Sequence, residues 1–312
     1  MGIATTPTKD NTHRPRWLLM LALLGGNVAL ALGPWFVRLA DTGPVSSGFW
    51  RLALALPFVL WLAHAQGERP LAVDRRAVLL LAFAGVAFAL DLASWHLGIG
   101  LTRMGNATLF GNSGSLILMA WTFVALRRWP RGGEVAAIVL ALVGAAILLG
   151  RSLEISPQTL LGDLLCVLAG LLYVIYLLVL QRQRGTLGSW TILFWSSFAG
   201  APLLLVLALA MGEQVWPQDW RPLIALAVLG QLVGQGLLVF ALRHFSALVI
   251  GLALLTQPAV GALTGWWVFG ETMTALDIIG MALVGSALVI ARSRGEAPAG
   301  QPVPDKRPAN PA

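Results

Sequence analysis

Charged side chains are scarce in this sequence and are nearly absent from its long apolar stretches. Asp, Glu, Lys and Arg make up 11% of the 312 residues, whereas 57% are hydrophobic and the mean hydropathy is +0.78. Soluble domains contain about 45–50% apolar residues, and a charge at the centre of a bilayer costs roughly 2.5 kcal/mol or more. Lipid is therefore the expected solvent for most of the chain. The formal net charge of +7 then indicates topology rather than nucleic-acid binding.

Cysteine and enzymatic motifs are also lacking. The single cysteine, Cys166, excludes a disulfide framework and a thiolate metal cluster, and its place inside an apolar run predicts a packing role. No His-Glu-x-x-His motif, nucleophile–base set or Walker loop occurs in the sequence. We therefore expect no enzyme, no metal site, no cofactor and no ATP-driven step within this chain.

Ten apolar runs have the length of a membrane-spanning helix. A hydrocarbon core about 30 Å thick requires about 20 helical residues, and runs near this size recur along the whole chain. The fifth and tenth runs are shorter and rich in Gly and Ala. The expected fold is an all-α integral membrane protein with ten transmembrane helices. The predicted spans are Trp17–Val37, Ser46–Ala63, Ala77–Leu97, Ala107–Leu126, Glu134–Gly150, Leu160–Leu180, Ser189–Met211, Leu223–Leu242, Ala247–Phe269 and Ala275–Ala291.

Lys and Arg lie mostly on one side of these spans. Sixteen of them precede the first span or follow an even-numbered span, and four lie on the other side. Because basic loops stay in the cytoplasm, both termini are expected there, in a bacterial inner membrane. No cleavage site follows the first span, which is expected to be a retained signal anchor. The C-terminal tail is rich in Pro, Ala and charge and is expected to be disordered.

The sequence resembles itself after a shift of about 145 residues. Phe49–Pro57 matches Phe194–Pro202 at a spacing of 145, and Ala141–Gly144 matches Ala282–Gly285 at a spacing of 141. Such self-similarity indicates a duplicated unit, and five spans per unit would invert the second copy. Inverted repeats commonly rock about a site near the membrane midplane. The expected organisation is a cytoplasmic tail, two five-helix repeats and a second cytoplasmic tail, at residues 1–16, 17–150, 160–291 and 292–312.

The second half contains a short polar turn, a span with a central proline and a Gly-Glu pair before the last helix. These features are Arg243–Ala247, Pro258 and Gly270-Glu271. With them the chain resembles an EamA-type member of the drug/metabolite transporter superfamily, over all ten predicted spans. The first half departs from the pattern, with Trp129-Pro130 at the Gly-Glu position and Ile117 at the proline position. The resemblance implies a carrier of small organic solutes, with a central cavity lined by the first four helices of each repeat.

Two ionisable groups lie well inside predicted spans. Asp91 is acidic, and such residues mark functional sites in membrane proteins. Arg51 lies at a similar depth in the preceding span, so we expect an ion pair between them. The pair would act as a gate or substrate clamp, or as a static link that holds two helices in register. His96 is a candidate for proton coupling together with Asp91. Its alternative place is beside Trp95 in the interfacial belt.

Polar residues at related positions of the two halves predict a substrate site. Asn112 lies in a polar stretch of the fourth span, and Gln257 precedes a proline in the ninth. The alternative is interhelical hydrogen bonding with a structural kink. Tryptophans near span ends, Trp35 and Trp266 among them, are expected to be interfacial anchors. The predicted substrate-binding residues are Asn27, Asn112, Tyr173, Tyr176, Gln231, Gln235 and Gln257, for several of which simple packing is the alternative.

These features favour a secondary transporter that works by alternating access. The spans contain no cluster of basic residues that would hold phosphate, which argues against sugar phosphates and nucleotide sugars. Export of amino acids, aromatic ones among them, or of related metabolites is the expected activity. A channel or a lipid scramblase is the alternative, because a polar interior also suits a pore. The expected partners are a small-molecule substrate and membrane lipid, without nucleic acid, and the expected assembly is a monomer or homodimer.

Overall fold

A computed structural model of the protein describes residues 16–102, 104–150, 157–269 and 272–293. Helices joined by short turns make up these residues, and no β-strand occurs among them. The predicted tails, apart from Arg16 and residues 292–293, lie outside the described residues, as does the Gly270-Glu271 pair. The helices are α1 (Arg16–Ala31), α2 (Gly33–Leu39), α3 (Pro44–Ala65), α4 (Arg75–Leu101), α5 (Met104–Gly111), α6 (Ser113–Ala125), α7 (Gly132–Gly150), α8 (Leu160–Gln183), α9 (Ser189–Ala210), α10 (Arg221–Ala225), a π-helical segment (Leu226–Gln235), α11 (Gly236–Ala241), α12 (Ala247–Leu254), α13 (Gln257–Phe269) and α14 (Ala275–Ser293).

Seven helical stretches in the described part of the chain are long and apolar enough to cross a membrane. Three further apolar stretches are shorter, at Gly132–Leu148, Ala247–Leu263 and Ala275–Ala291. Each predicted span overlaps one of these helical stretches. Large apolar side chains such as Trp61 and Val206 are more than half exposed on the helix surfaces, as lipid-facing residues are. The described chain is an all-helical, multi-pass membrane protein.

Two of these stretches are broken near their middles. The stretch around Asn112 consists of α5 and α6, and Asn112 is the residue between them. The stretch around Gln257 consists of α12 and α13, which are separated by Leu255 and Thr256. Pro258 follows directly in α13, where its missing N–H and its ring disfavour continuous helical hydrogen bonding. The breaks free polar backbone groups in the interior of the protein.

Helices from the two halves of the chain pack against each other. The main contacts pair α3 with α9, α4 with α8, and α7 with α14. Glycine permits the closest approaches: a Cβ added to Gly144 of α7 would lie 2.7 Å from the carbonyl oxygen of Gly280 of α14. One large apolar core, which includes Leu52, Phe88 and Leu204, joins the inner faces of these helices.

The amino ends of α3 and α9 are capped by carboxylates from remote loops. Glu213, which follows α9, accepts hydrogen bonds from the backbone N–H of Ser46 at 2.8 Å and from its hydroxyl at 2.9 Å. Glu68, which follows α3, accepts the same two bonds from Thr191, each at 2.7 Å. An anion at a helix amino end satisfies free N–H groups and complements the helix dipole. The two caps fix both ends of the α3–α9 pair.

Candidate functional site: a central cavity

A cavity of about 760 Å³ lies between helices of both halves. Its walls come from α1 to α8, the π-helical segment and α12 to α14, whereas α9, α10 and α11 contribute no lining residue. At one end its lining includes the exposed Thr272 and the partly buried Met273, between α13 and α14, and this end is called the mouth. A volume of this size accommodates a small organic molecule.

One face of α4 forms much of the cavity floor. Phe88, Asp91, Leu92 and Trp95 all line the cavity, and their spacing of three, four and seven residues places them on one side of a helix. A carboxylate is thus set among aromatic and apolar side chains. Asp91 is 7% exposed. Its carboxylate makes no hydrogen bond or ion pair with any residue in the described ranges.

Arg51 of α3 lines the same cavity but binds the π-helical segment instead of Asp91. Its Nε donates to the side-chain oxygen of Gln231 at 3.3 Å and its Nη2 to the carbonyl of Gly230 at 3.4 Å. Its guanidinium carbon lies 5.7 Å from the centroid of the Phe88 ring, within the range of a cation–π contact. The expected direct ion pair is therefore not formed: within the described chain, no nitrogen of Arg51 lies within 4.0 Å of an oxygen of Asp91.

Three amide side chains form a hydrogen-bonded chain across the broken helices. Asn112 donates to the side-chain oxygen of Gln257 at 3.4 Å, and Gln257 donates to the side-chain oxygen of Asn27 at 3.1 Å. Asn27, which is fully buried, donates to the carbonyl of Ala253 at 2.8 Å and to the hydroxyl of Thr256. Asn112 and Gln257 line the cavity and Asn27 does not. Asn27 therefore stabilises Gln257 and the break between α12 and α13 from the side that faces away from the cavity.

The two tyrosines of α8 have different positions. Tyr173 lines the cavity, and its hydroxyl accepts a hydrogen bond from Nε2 of Gln235 at 3.1 Å. Gln235 also lines the cavity, and its Oε1 is buried without a hydrogen-bond partner in the described chain. Tyr176 does not reach the cavity: it is fully buried and stacks on Phe88, with ring centroids 4.4 Å apart. Tyr176, which was predicted to bind substrate, therefore packs beneath the cavity wall in this structure.

Gln231 and His96 also lie outside the cavity lining. Gln231 is fully buried between Arg51 and Ser197, to whose hydroxyl it donates at 3.0 Å. It supports Arg51 and does not line the cavity in this structure. His96 is fully buried, and its Nδ1 lies 2.9 Å from the carbonyl of Pro44 and 3.0 Å from the Ser47 hydroxyl. Five residues along a helix turn a side chain by about 140°, so His96 faces α3 while Asp91 faces the cavity.

Several lining residues were not predicted to belong to a site. Trp35, Trp95 and Trp266 also line the cavity, although their positions near span ends predicted a place in the interfacial belt. For Trp95 a signal existed, since it follows Asp91 by four residues and shares its helix face. Thr108 of α5 lies one turn before Asn112, and its carbonyl accepts a hydrogen bond from that residue at 2.8 Å.

The charges on the cavity wall are few and differ in their surroundings. Asp277, near the mouth, accepts hydrogen bonds from the N–H and hydroxyl of Thr274 at 2.8 and 2.7 Å. Arg51 and Asp91 lie deeper and have no ionic partner within the described residues. No group of three or more His, Cys, Asp or Glu side chains able to hold a metal ion occurs in the described ranges. The cavity therefore offers polar and ionic binding groups above an aromatic floor.

Comparisons with known proteins agree with a transporter. Residues 160–292 match the EamA-like transporter family. The chain is 27% identical to the threonine/homoserine exporter RhtA of Salmonella typhimurium over 284 residues, which cover 89% of this chain and 94% of the exporter. It is 27% identical to RhtA of Escherichia coli K12 over 282 residues, 88% of this chain and 93% of the exporter. An uncharacterized transporter of Archaeoglobus fulgidus is 26% identical over 279 residues, 88% of this chain and 94% of its own.

A solved crystal structure shares the fold. It superposes with a TM-score of 0.73 at 15% sequence identity and covers 89% of this chain and 97% of its own. The apolar helices, the cavity between the two halves and the matched relatives define a multi-pass membrane transporter. The match to the EamA-like family covers the second half of the chain, and relatives named as transporters resemble nearly all of it.

Proposed function

We propose that this protein is a secondary transporter that exports amino acids or closely related small metabolites by alternating access. The observation that carries the proposal is the central cavity, which reaches the exposed Thr272 and is lined by helices of both halves. Relatives named as threonine/homoserine exporters match nearly the whole chain and support this class of cargo. Matches to transporters also favour a protein without enzymatic activity.

We propose further that ten helices cross the membrane as two inverted five-helix repeats, at residues 17–150 and 160–291. The reciprocal caps support this arrangement, because Ser46 and Thr191 are 145 residues apart and so are Glu68 and Glu213. The indole N–H of Trp50 and that of Trp195, also 145 residues apart, each donate to a loop carbonyl at 2.7 Å. The breaks at Asn112 and Thr256 fall in the fourth stretch of each half, where inverted repeats commonly bind their substrates.

The proposed location is a bacterial inner membrane with both termini in the cytoplasm. Sixteen Lys and Arg residues on one side against four on the other support this orientation. The mouth at Thr272 and Met273 would then open to the outside, which corresponds to an outward-facing state. A reporter fused at Ala312 is expected to give a cytoplasmic signal, and a periplasmic signal would overturn the orientation. Membrane lipid and a small-molecule substrate are the proposed partners, without nucleic acid, and the proposed assembly is a monomer or homodimer.

Transport by purified protein in liposomes tests the proposed activity. Labelled L-threonine, L-homoserine and aromatic amino acids would be assayed with and without a pH gradient. Saturable flux and accelerated exchange against unlabelled amino acid inside the liposomes are expected, because a carrier must bind its substrate at each turnover. Unsaturable flux of ions or lipid would instead support a channel or a scramblase. Absence of amino-acid flux from liposomes that contain folded protein would contradict the proposed cargo.

A further inference from the structure

Two buried opposite charges share the cavity wall without contacting each other. Arg51 is 3% exposed and Asp91 is 7% exposed, and both line the cavity. In the part of the chain that the structure describes, neither has an ionic partner. Buried charges without a direct ion pair are unfavourable in a protein surrounded by lipid, so a ligand that pairs with both side chains would stabilise this arrangement.

The hydrogen bonds of Arg51 leave part of its guanidinium free for a ligand. Nε binds Gln231 and Nη2 binds Gly230, while Nη1 makes no hydrogen bond to the described residues. Gln231 is itself held by Ser197, and Phe88 lies against the guanidinium. The cation is thus fixed in place by neutral groups that do not cancel its charge. A guanidinium in this state suits a carboxylate, which it binds through charge-assisted hydrogen bonds.

The acceptor groups of the cavity suit an ammonium. Asp91 offers a carboxylate without a hydrogen bond to the described chain, and the buried Oε1 of Gln235 lacks a partner. The Tyr173 hydroxyl accepts from Gln235 and keeps an oxygen lone pair and its own proton for a ligand. An ammonium carries three donors and no acceptor, which matches this group of oxygens.

We propose that Arg51 and Asp91 form a zwitterion clamp, in which Arg51 binds the carboxylate of an α-amino acid and Asp91, assisted by Gln235, binds its ammonium. This assignment rests on the proposed function and restricts its range of substrates, because a substrate must carry both charges. A zwitterion between the two side chains neutralises both, whereas a ligand with one charge leaves the other side chain unpaired. The aromatic and apolar residues toward the mouth then surround the amino-acid side chain.

Competition by three matched molecules tests the clamp on the unaltered protein. Homoserine carries both charges, 4-hydroxybutanoate lacks the ammonium, and 3-amino-1-propanol lacks the carboxylate, while all three keep the same terminal hydroxyl. Each would compete with labelled L-homoserine for equilibrium binding to purified protein and for flux into liposomes. We expect each single-charge molecule to compete at least ten-fold more weakly than homoserine, since each loses one charge-assisted contact.

Two variants assign the charges to their partners. Arg51→Gln should remove the advantage of homoserine over 3-amino-1-propanol, and Asp91→Asn should remove its advantage over 4-hydroxybutanoate. Arg69→Gln removes an exposed loop charge and should leave both ratios unchanged. A general loss of folding would lower binding of all three molecules without these opposite changes in selectivity, and the competition on unaltered protein requires no variant.

The outcomes separate the clamp from the proposed export activity. Binding of homoserine with the expected selectivity but without flux would uphold the clamp and contradict export. Amino-acid flux in which the single-charge molecules compete as well as homoserine would overturn the clamp and leave export intact. Absence of homoserine and threonine binding to folded protein would overturn the clamp as well.

Discussion

Glu68 and Glu213 exchange helix caps: each carboxylate lies just after one of the two central helices and binds the amino end of the other. A glycine directly precedes each capped helix, Gly43 before α3 and Gly188 before α9. A Cβ at either glycine would collide with the capping carboxylate. Each cap therefore requires both the glycine and the remote acid. Since the caps are at opposite ends of the α3–α9 pair, we expect this pair to remain together while other helices move.

Replacement of either acid by glutamine should therefore lower stability. Glu68→Gln and Glu213→Gln remove the charge at a helix amino end and weaken its hydrogen bonds, with an expected loss of about 1–2 kcal/mol for each. The loss would be measured as the change in unfolding free energy of the purified protein in detergent. Arg69→Gln, an exposed charge change next to Glu68, serves as the control. Equal stability of all three variants and the unaltered protein would refute the role of the caps.

Two glycines on α14 should respond differently to the same substitution. A Cβ on Gly280 would lie 2.8 Å from Cγ of Leu148 and 3.0 Å from the carbonyl of Gly144, whereas a Cβ on Gly285 would meet no atom within 4 Å. Gly280→Ala should therefore separate α7 from α14 and destabilise the protein by about 1–3 kcal/mol. Gly285→Ala should be neutral or stabilising by up to about 1 kcal/mol, because Ala favours helix. Thermal unfolding of both variants in parallel measures the difference, and equal shifts would contradict close packing at Gly280.

The helices could be predicted well because lipid restricts the backbone conformations that the chain can adopt. A backbone in hydrocarbon must satisfy its own hydrogen bonds, so each long apolar run had to form a helix. The breaks also had local signals, since Pro258 disfavours a continuous helix and the polar stretch at Asn112 avoids lipid. The interruption at Leu32 between α1 and α2 and the π-helical segment were not predicted. The π-helical segment packs against α1 and α3, and a single sequence does not reveal these contacts.

Depth along a helix was predictable, but rotation about its axis was not. Arg51 and Asp91 do line one cavity, yet the predicted contact between them is replaced by the contact of Arg51 with Gln231, which lies 180 residues later in the chain. His96 was paired with Asp91 by closeness in sequence, although the two point in different directions. The direction of Trp266 likewise depends on which neighbours cover α13, and its position near the end of a span does not determine that direction.

A cysteine placed in the cavity should be reachable from outside the cell. Gly261 lines the cavity and has no atom within 4 Å of an added Cβ, whereas the native Cys166 is fully buried. Gly261→Cys should therefore react with a membrane-impermeant maleimide on intact cells, and the unaltered protein should not. Saturating amino acid should slow the reaction if substrate occupies the cavity. Labelling of inside-out vesicles only, with none on intact cells, would contradict an outward-facing mouth.

The chain of three amides separates substrate binding from structural support. Gln257 and Asn112 face the cavity, while Asn27 is fully buried behind them. Gln257→Leu and Asn112→Leu should each remove a hydrogen-bonding group worth about 0.5–1.5 kcal/mol and raise the half-saturation concentration several-fold. Asn27→Leu should mainly lower stability, by about 1–3 kcal/mol, because it removes one of the two side-chain donors to the Ala253 carbonyl and frees Gln257.

Thermal stability and the half-saturation concentration for amino-acid flux, measured on the same preparations, distinguish these roles. Gln66→Ala, at an exposed position after α3, is the control and should change neither quantity. Gln257 lines the cavity and also contacts Asn27. Gln257→Leu should therefore change the affinity more than Asn27→Leu does, and should change the stability only modestly. If the Asn112 and Gln257 variants lose stability alone and keep the affinity of the unaltered protein, the amides hold the broken helices together and do not bind substrate.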